Sequence, residues 1–290
     1  MTIPRGRLLQ SALVFVVSLS VCPCFLAQQP ASTTPDQQAW TLLRAGATSS
    51  NADIRRVAIG ALGIVVKNRR AAVRAENALS DDKVDVRIAA ATALGQIESS
   101  ASVPKLLAAL EDKEPAVVLA AAQSLVRLKN DRGYDVYYEV LTGDRPGGKG
   151  AVATEFDTLK NPKKLAELGF EEGVGFVPFG GMGLETFRVL HGGSNSAVRA
   201  AAARMLTHDP EPEAGTALTD AVSDKTWQVR VAAIYAIAER GDPKLLAPVE
   251  TAMQDDKAEV KYSAAAAVLR LLDVERNQSR KSQKKTSVAQ

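Results

Sequence analysis

Cysteine is confined to Cys22 and Cys24, and histidine to His191 and His208. Both thiols fall inside an N-terminal leader, so a chain cleaved after residue 27 can form no disulfide, thiolate metal site or thiol nucleophile. Neither histidine is followed by glutamate, and two imidazoles are too few to build a zinc or iron centre on histidine. Aromatic residues make up only 5% of the chain, which leaves the core to small aliphatic side chains and favours helix packed on helix. The sequence also lacks G-x-x-x-x-G-K-[ST], G-x-G-x-x-G and G-x-S-x-G, the signatures of phosphate loops, dinucleotide folds and serine elbows.

What is present begins with that leader. Residues 1–27 open with Arg5 and Arg7, continue as an apolar run from Leu8, and end near Ala27. This is the pattern of a secretory signal peptide, and it predicts an exported, periplasmic or secreted chain starting near Gln28. The run carries Gln10, several serines and Pro23 and is short for a span of about 20 residues. A lipid anchor at Cys22, or an uncleaved signal anchor, is the alternative; Val21 stands where a lipidation box wants a small residue. Without the two leader arginines and the five bases of the last fifteen residues, the remainder holds 29 basic against 33 acidic residues. Such a body offers no net-positive surface to nucleic acid. The acid-free end, residues 276–290, reads as a basic disordered tail.

An internal period then organises the chain. A β-branched anchor followed by an alanine cluster recurs at Ile54, Val86, Val117, Val198, Val229 and Val260, with spacings of 32, 31, 81, 31 and 31 residues. Units of that length hold two helices and two turns each. The second helices show between anchors, as Val103, Leu106, Leu107 and Leu110, and as Leu245, Leu246, Val249 and Met253. Gly241-Asp242-Pro243 supplies a helix stop, a cap and a first-turn proline in succession. Asp81, Asp112, Asp224 and Asp255 each stand five residues before an anchor and are charged cap candidates. A base follows the anchor at Arg55, Arg87, Arg199, Arg230 and Lys261, and Val118 breaks the series. The alternation of acids and bases predicts a structural ladder between neighbouring units rather than a stripe for acidic ligands.

The stretch "DKVDVRIAAATALGQIESSASVPKLLAALEDKEPAVV" resembles a HEAT-type repeat of the 31-residue class grouped with bilin-lyase-like proteins. The resemblance covers residues 51–142 and 194–274 and implies an all-α fold, an α-α superhelix or solenoid of antiparallel helix pairs, whose usual task is to bind other proteins. Relatives with activity exist: deoxyhypusine hydroxylases hold two irons on paired His-Glu motifs, which this sequence lacks, and bilin lyases hold a tetrapyrrole. The expected organisation is a signal peptide over 1–27, a segment with a capping helix over 28–50, repeats over 51–142, a degenerate repeat with a Gly-rich insertion over 143–193, repeats over 194–275, and the basic tail.

Two places carry candidate binding residues. Tyr134, Tyr137 and Tyr138 recur at i, i+3 and i+4 on a second helix, the layer that lines the concave side in such repeats; the same residue types serve equally for packing against the irregular segment that follows. The insertion "GFEEGVGFVPFGGMGLE" is glycine-flexed and apolar, with Phe176, Phe179 and Met182 as the other candidates. Glu171 and Glu172 repel an anion there, so it is not read as a phosphate loop. The reading is a non-catalytic scaffold with a protein partner, without cofactor, metal or catalytic residues; the alternative is a bilin-lyase-like or other enzyme or chromophore-handling solenoid.

Overall fold

A computed structural model describes residues 33–142 and 195–288. Residues from Thr34 onward form a compact unit. The leader, and the degenerate repeat with Phe176, Phe179 and Met182, lie outside the described residues. Within the described residues the fold is all-α, as expected, and no helix there is long and apolar enough to cross a membrane.

The helices are α1 (Pro35–Ala47), α2 (Ala52–Ala61), α3 (Arg69–Ala78), α4 (Val84–Ile97), α5 (Val103–Ala109), α6 (Pro115–Arg127) and α7 (Arg132–Thr142). After the undescribed segment come α8 (Asn195–Met205), α9 (Pro212–Ala221), α10 (Trp227–Arg240), α11 (Leu246–Ala252) and α12 (Ala258–Val288). First helices of successive units (α2, α4, α6 and α8, α10, α12) pack on one another, and the second helices α3, α5, α9 and α11 each pack on the first helix that follows. Alanine explains the closeness: Ala89–Ala91, Ala120–Ala122, Ala232, Ala233 and Ala264–Ala267 are buried along the first-helix layer, where larger side chains would force the helices apart.

Stops recur with the same period as the anchors. Lys67, Glu98 and Lys129 adopt left-handed backbone (φ 58°, 57° and 58°), and Gly241 does so at φ 65°. Only the last uses the residue that enters this region without steric cost. After Gly241, the Asp242 side chain accepts from the Lys244 N–H at 3.0 Å, as the sequence predicts.

Stack order is the main departure from expectation. Helix α12 packs on α2, so the three C-terminal units precede the three N-terminal ones in space: α8, α10, α12, α2, α4, α6. Helix α1 lies against both α12 and α2, where the second helix of the last unit belongs. It does not cap an end of the stack, as the sequence suggests, but sits in the middle. Its apolar side (Ala39, Trp40, Leu43) is buried, and Gly46 lets it approach closely. A Cβ at Gly46 would lie 2.6 Å from both the Ala58 Cβ and the Tyr262 ring. Asn68 donates to Asp273 at 3.2 Å, and Arg276 pairs with Asp36 at 3.3 Å across the same joint.

The expected disordered tail is also corrected. From Arg276 the chain continues as helix to Val288. No glycine or proline follows Pro248, so nothing in the sequence ends the helix, and Lys, Arg and Gln are good helix formers.

Candidate protein-interaction surface

Helix α7 begins after a sharp stop. Lys129 turns left-handed, and the Asn130 side chain accepts from the Arg132 N–H at 3.2 Å, which restarts the helix. Gly133 then brings α7 onto α6, since a Cβ there would meet the Ala122 carbonyl oxygen and Val126. Val136 and Glu139 are buried on that side. Tyr134, Tyr137 and Tyr138 therefore share the opposite face, 50%, 40% and 63% exposed. The structure brings these three candidates together. Burial of part of its ring raises the Tyr137 hydroxyl above its usual pKa, so it stays a neutral donor at physiological pH.

The repeat register shows why that face matters. Positions equivalent to Tyr137 are Leu106 and Ala75, one and two units earlier, and Leu218 and Val249 in the C-terminal half. All four are fully buried, because the first helix of the following unit covers them. Tyr137 occupies the same core column and remains open. At the other limit of the described stack the converse holds. Val86, Val117, Val229 and Val260 are buried anchors, whereas Val198 on α8 is 47% exposed and Met205 on the same helix is exposed as well. Val198 was named in the sequence only as an anchor, the one that follows the 81-residue spacing.

The ionic groups are engaged in a ladder, as the sequence predicts. Arg55 forks onto Asp81 with two bonds of 2.8 Å, and Arg87 onto Asp112 at 2.8 and 3.0 Å. Arg199 meets Asp224 at 2.8 and 3.0 Å, and Arg230 meets Asp255 at 2.7 Å. Each arginine thus ties one unit to the next. Arg55, Arg87 and Arg230 also donate to backbone carbonyls of Ser49, Asp81 and Asp224 just ahead of their own helices. The aspartates stand two residues ahead of the helix cap: each accepts the N–H two residues on, at Lys83, Glu114, Thr226 and Lys257, and the helix caps themselves are Lys83, Glu114 and Thr226. The Arg55 hydrogen bond holds the Asp81 carboxyl down at about 2, and the Arg199 bond does the same for Asp224, also at about 2. For Asp255, burial works upward but is outweighed by Arg230 and the Lys257 N–H, and the net direction is down. The carboxylate pairs Asp81-Asp82 and Asp255-Asp256 are in this way structural.

An open cleft of about 640 Å³ lies among the turns of the C-terminal units, lined by His208, Glu239, Arg240, Lys244 and Glu275 among others. Arg240 is spent on the loop beneath, donating to the carbonyls of Leu206, Asp209 and Glu211. His208 ends a short 3-10 turn and stands 3.8 Å from Glu239.

Comparison with known families agrees with this geometry. The model of HEAT repeats matches residues 72–153 and 186–270, more than half of the chain. The chain belongs to the HEAT repeat family. No curated protein matches its sequence. Among solved structures, the complex of CpcE and CpcF of phycocyanin lyase from Nostoc sp. shares 21% identity with a TM-score of 0.32, covering 86% of this chain and 99% of that one. Human deoxyhypusine hydroxylase shares 18% at a TM-score of 0.32, covering 83% and 86%. An engineered protein shares 13% at 0.28, covering 81% and 97%. Likenesses at this level do not bear on activity. In HEAT terms, α7 and α8 present the unit-to-unit faces that interior repeats keep covered.

Proposed function

We propose that this HEAT-repeat chain is a non-catalytic scaffold that binds a protein partner in an exported compartment. The observation that carries the reading is Tyr137, a core-column position that stands open with Tyr134 and Tyr138 beside it. Three rings with polar tips on one rigid helix face form the kind of patch that supplies interface hot spots, worth roughly 2 kcal/mol or more each when fully enclosed. The slight acid excess of the body favours a protein over a nucleic acid. Export rests on the leader, residues 1–27.

Crosslinking and capture from the exported fraction test the binding claim, with wild type compared against the triple variant Y134S/Y137S/Y138S. The reading predicts an unchanged melting temperature and loss of a specific captured protein. If the variant keeps every partner the surface is wrong, and if it melts early the face is covered by the chain itself. N-terminal sequencing of the same material should begin near Gln28; retention of residues 1–27, or a lipid at Cys22, would contradict cleavage.

A further inference from the structure

The part of α12 beyond the core has a charge distribution that binding through α7 leaves unused. Side chains of residues 275–284 are all exposed, and from Arg276 to Gln290 the sequence holds five bases and no acid. At about 1.5 Å per residue the helical segment 276–288 extends for roughly 20 Å. Helical register sorts its residues into two halves. Arg276, Arg280 and Lys284 form one i, i+4 row, with Lys281 in an adjacent row; Gln278, Ser279, Ser282 and Gln283 occupy the other half. One half of the cylinder is basic and the other neutral and polar. Residues 276–284 include no aliphatic or aromatic side chain, so this described stretch has no apolar edge to fill a protein groove or to insert between acyl chains.

We infer that this extension is a docking helix for an anionic lipid surface, lying on headgroups through its basic half without penetrating. A straight row of charges without shape-specific anchors fits a flat, diffuse array of negative charge better than a contoured protein pocket. Its root is held firmly. Arg276 is clamped to Asp273 at 2.6 Å and to Asp36 at 3.3 Å, which fixes the helix against the first turn of α1. Polybasic segments gain about 1 kcal/mol per base near such a surface, roughly fivefold in partitioning each, and the gain disappears with salt.

The test is vesicle co-sedimentation of the chain from Gln28 onward, which contains the whole compact unit beginning at Thr34. Vesicles of phosphatidylcholine alone are compared with vesicles holding about 30 mol% phosphatidylglycerol, at about 0.05 M and about 0.5 M NaCl. The inference predicts binding to the anionic vesicles at low salt only. It predicts a loss of roughly a hundredfold or more in R280Q/K281Q/K284Q/K285Q, with Arg276 kept in place, and no loss in the neutral-face control Q278A/Q283A. Far-ultraviolet circular dichroism confirms that both variants stay helical. Equal binding to neutral vesicles, undiminished binding by the charge variant, or tighter capture by polyglutamate or duplex DNA than by anionic vesicles would overturn it.

Discussion

Arg87 shows how one side chain holds two repeats. It is almost fully buried, forks onto Asp112 of the next unit, and donates to the Asp81 carbonyl at 2.9 Å in the turn before its own helix. Removing it strands a shielded carboxylate and a carbonyl together, so Arg87→Ala should cost about 3 kcal/mol in urea unfolding. Arg87→Lys should recover little of that, because an ammonium cannot reproduce the planar fork. The exposed pair Arg132–Asp135, at 3.5 Å, should by contrast yield no more than about 0.5 kcal/mol. Proton linkage gives the ladder a pH signature. Asp81 and Asp224 titrate at about 2 when folded against an ordinary value of 3.8, so their contribution is complete above pH 4 and is lost as pH falls toward 2. Acid unfolding should therefore steepen in that window, and Asp224→Asn should flatten it. Lys129 offers the opposite case: its left-handed backbone is strained for a residue with a Cβ, and Lys129→Gly should raise stability by about 0.5–1 kcal/mol.

At the level of elements, much was legible in the sequence because each unit repeats its own chemistry. Anchors, alanine runs, Asp-to-Arg spacing and the Gly241-Asp242-Pro243 stop each specify a local event, and each appears where the period places it. Second helices were less legible in detail: α5 and α11 are short and preceded by 3-10 turns, at Ser100–Ser102 and Pro243–Leu245, where the capping and proline signals overlap. The Tyr trio was legible as a cluster, but its meaning required the column Ala75, Leu106, Leu218, Val249, which only the 31-residue register aligns. The end of α12 was misread because basic, polar composition was taken as disorder, although the sequence there contains no helix breaker. Gly46 was not singled out at all. Nothing local marks a glycine that must admit Tyr262 from more than two hundred residues away. Gly46→Val should therefore lower stability by about 2–3 kcal/mol through overpacking, measured as a fall in melting temperature, while an equivalent change at exposed Gly-free positions of α1 such as Thr41→Val should not.

For the molecule as a whole, the decisive feature is that its first and last described helices, α1 and α12, meet in the middle of the described stack. Helix α1 completes the last unit, α12 packs on α2, and among the described residues the two end faces of the stack are those of α7 and α8. In this order Tyr137 lies at one end of the described stack, 40% exposed, and the proposed interaction surface rests on that position. A stack in sequence order would separate α1 from α12 by about five helix spacings, roughly 50 Å at about 10 Å each. A chain beginning at Gln28 contains no cysteine, so spin labels can be placed by Thr41→Cys and Asn277→Cys without competing thiols. Pulsed electron–electron distance measurement on that double variant should give a single population below about 25 Å, as expected for neighbouring helices carrying flexible labels. A distribution centred near 50 Å would place the two ends at opposite limits of the stack and contradict the account.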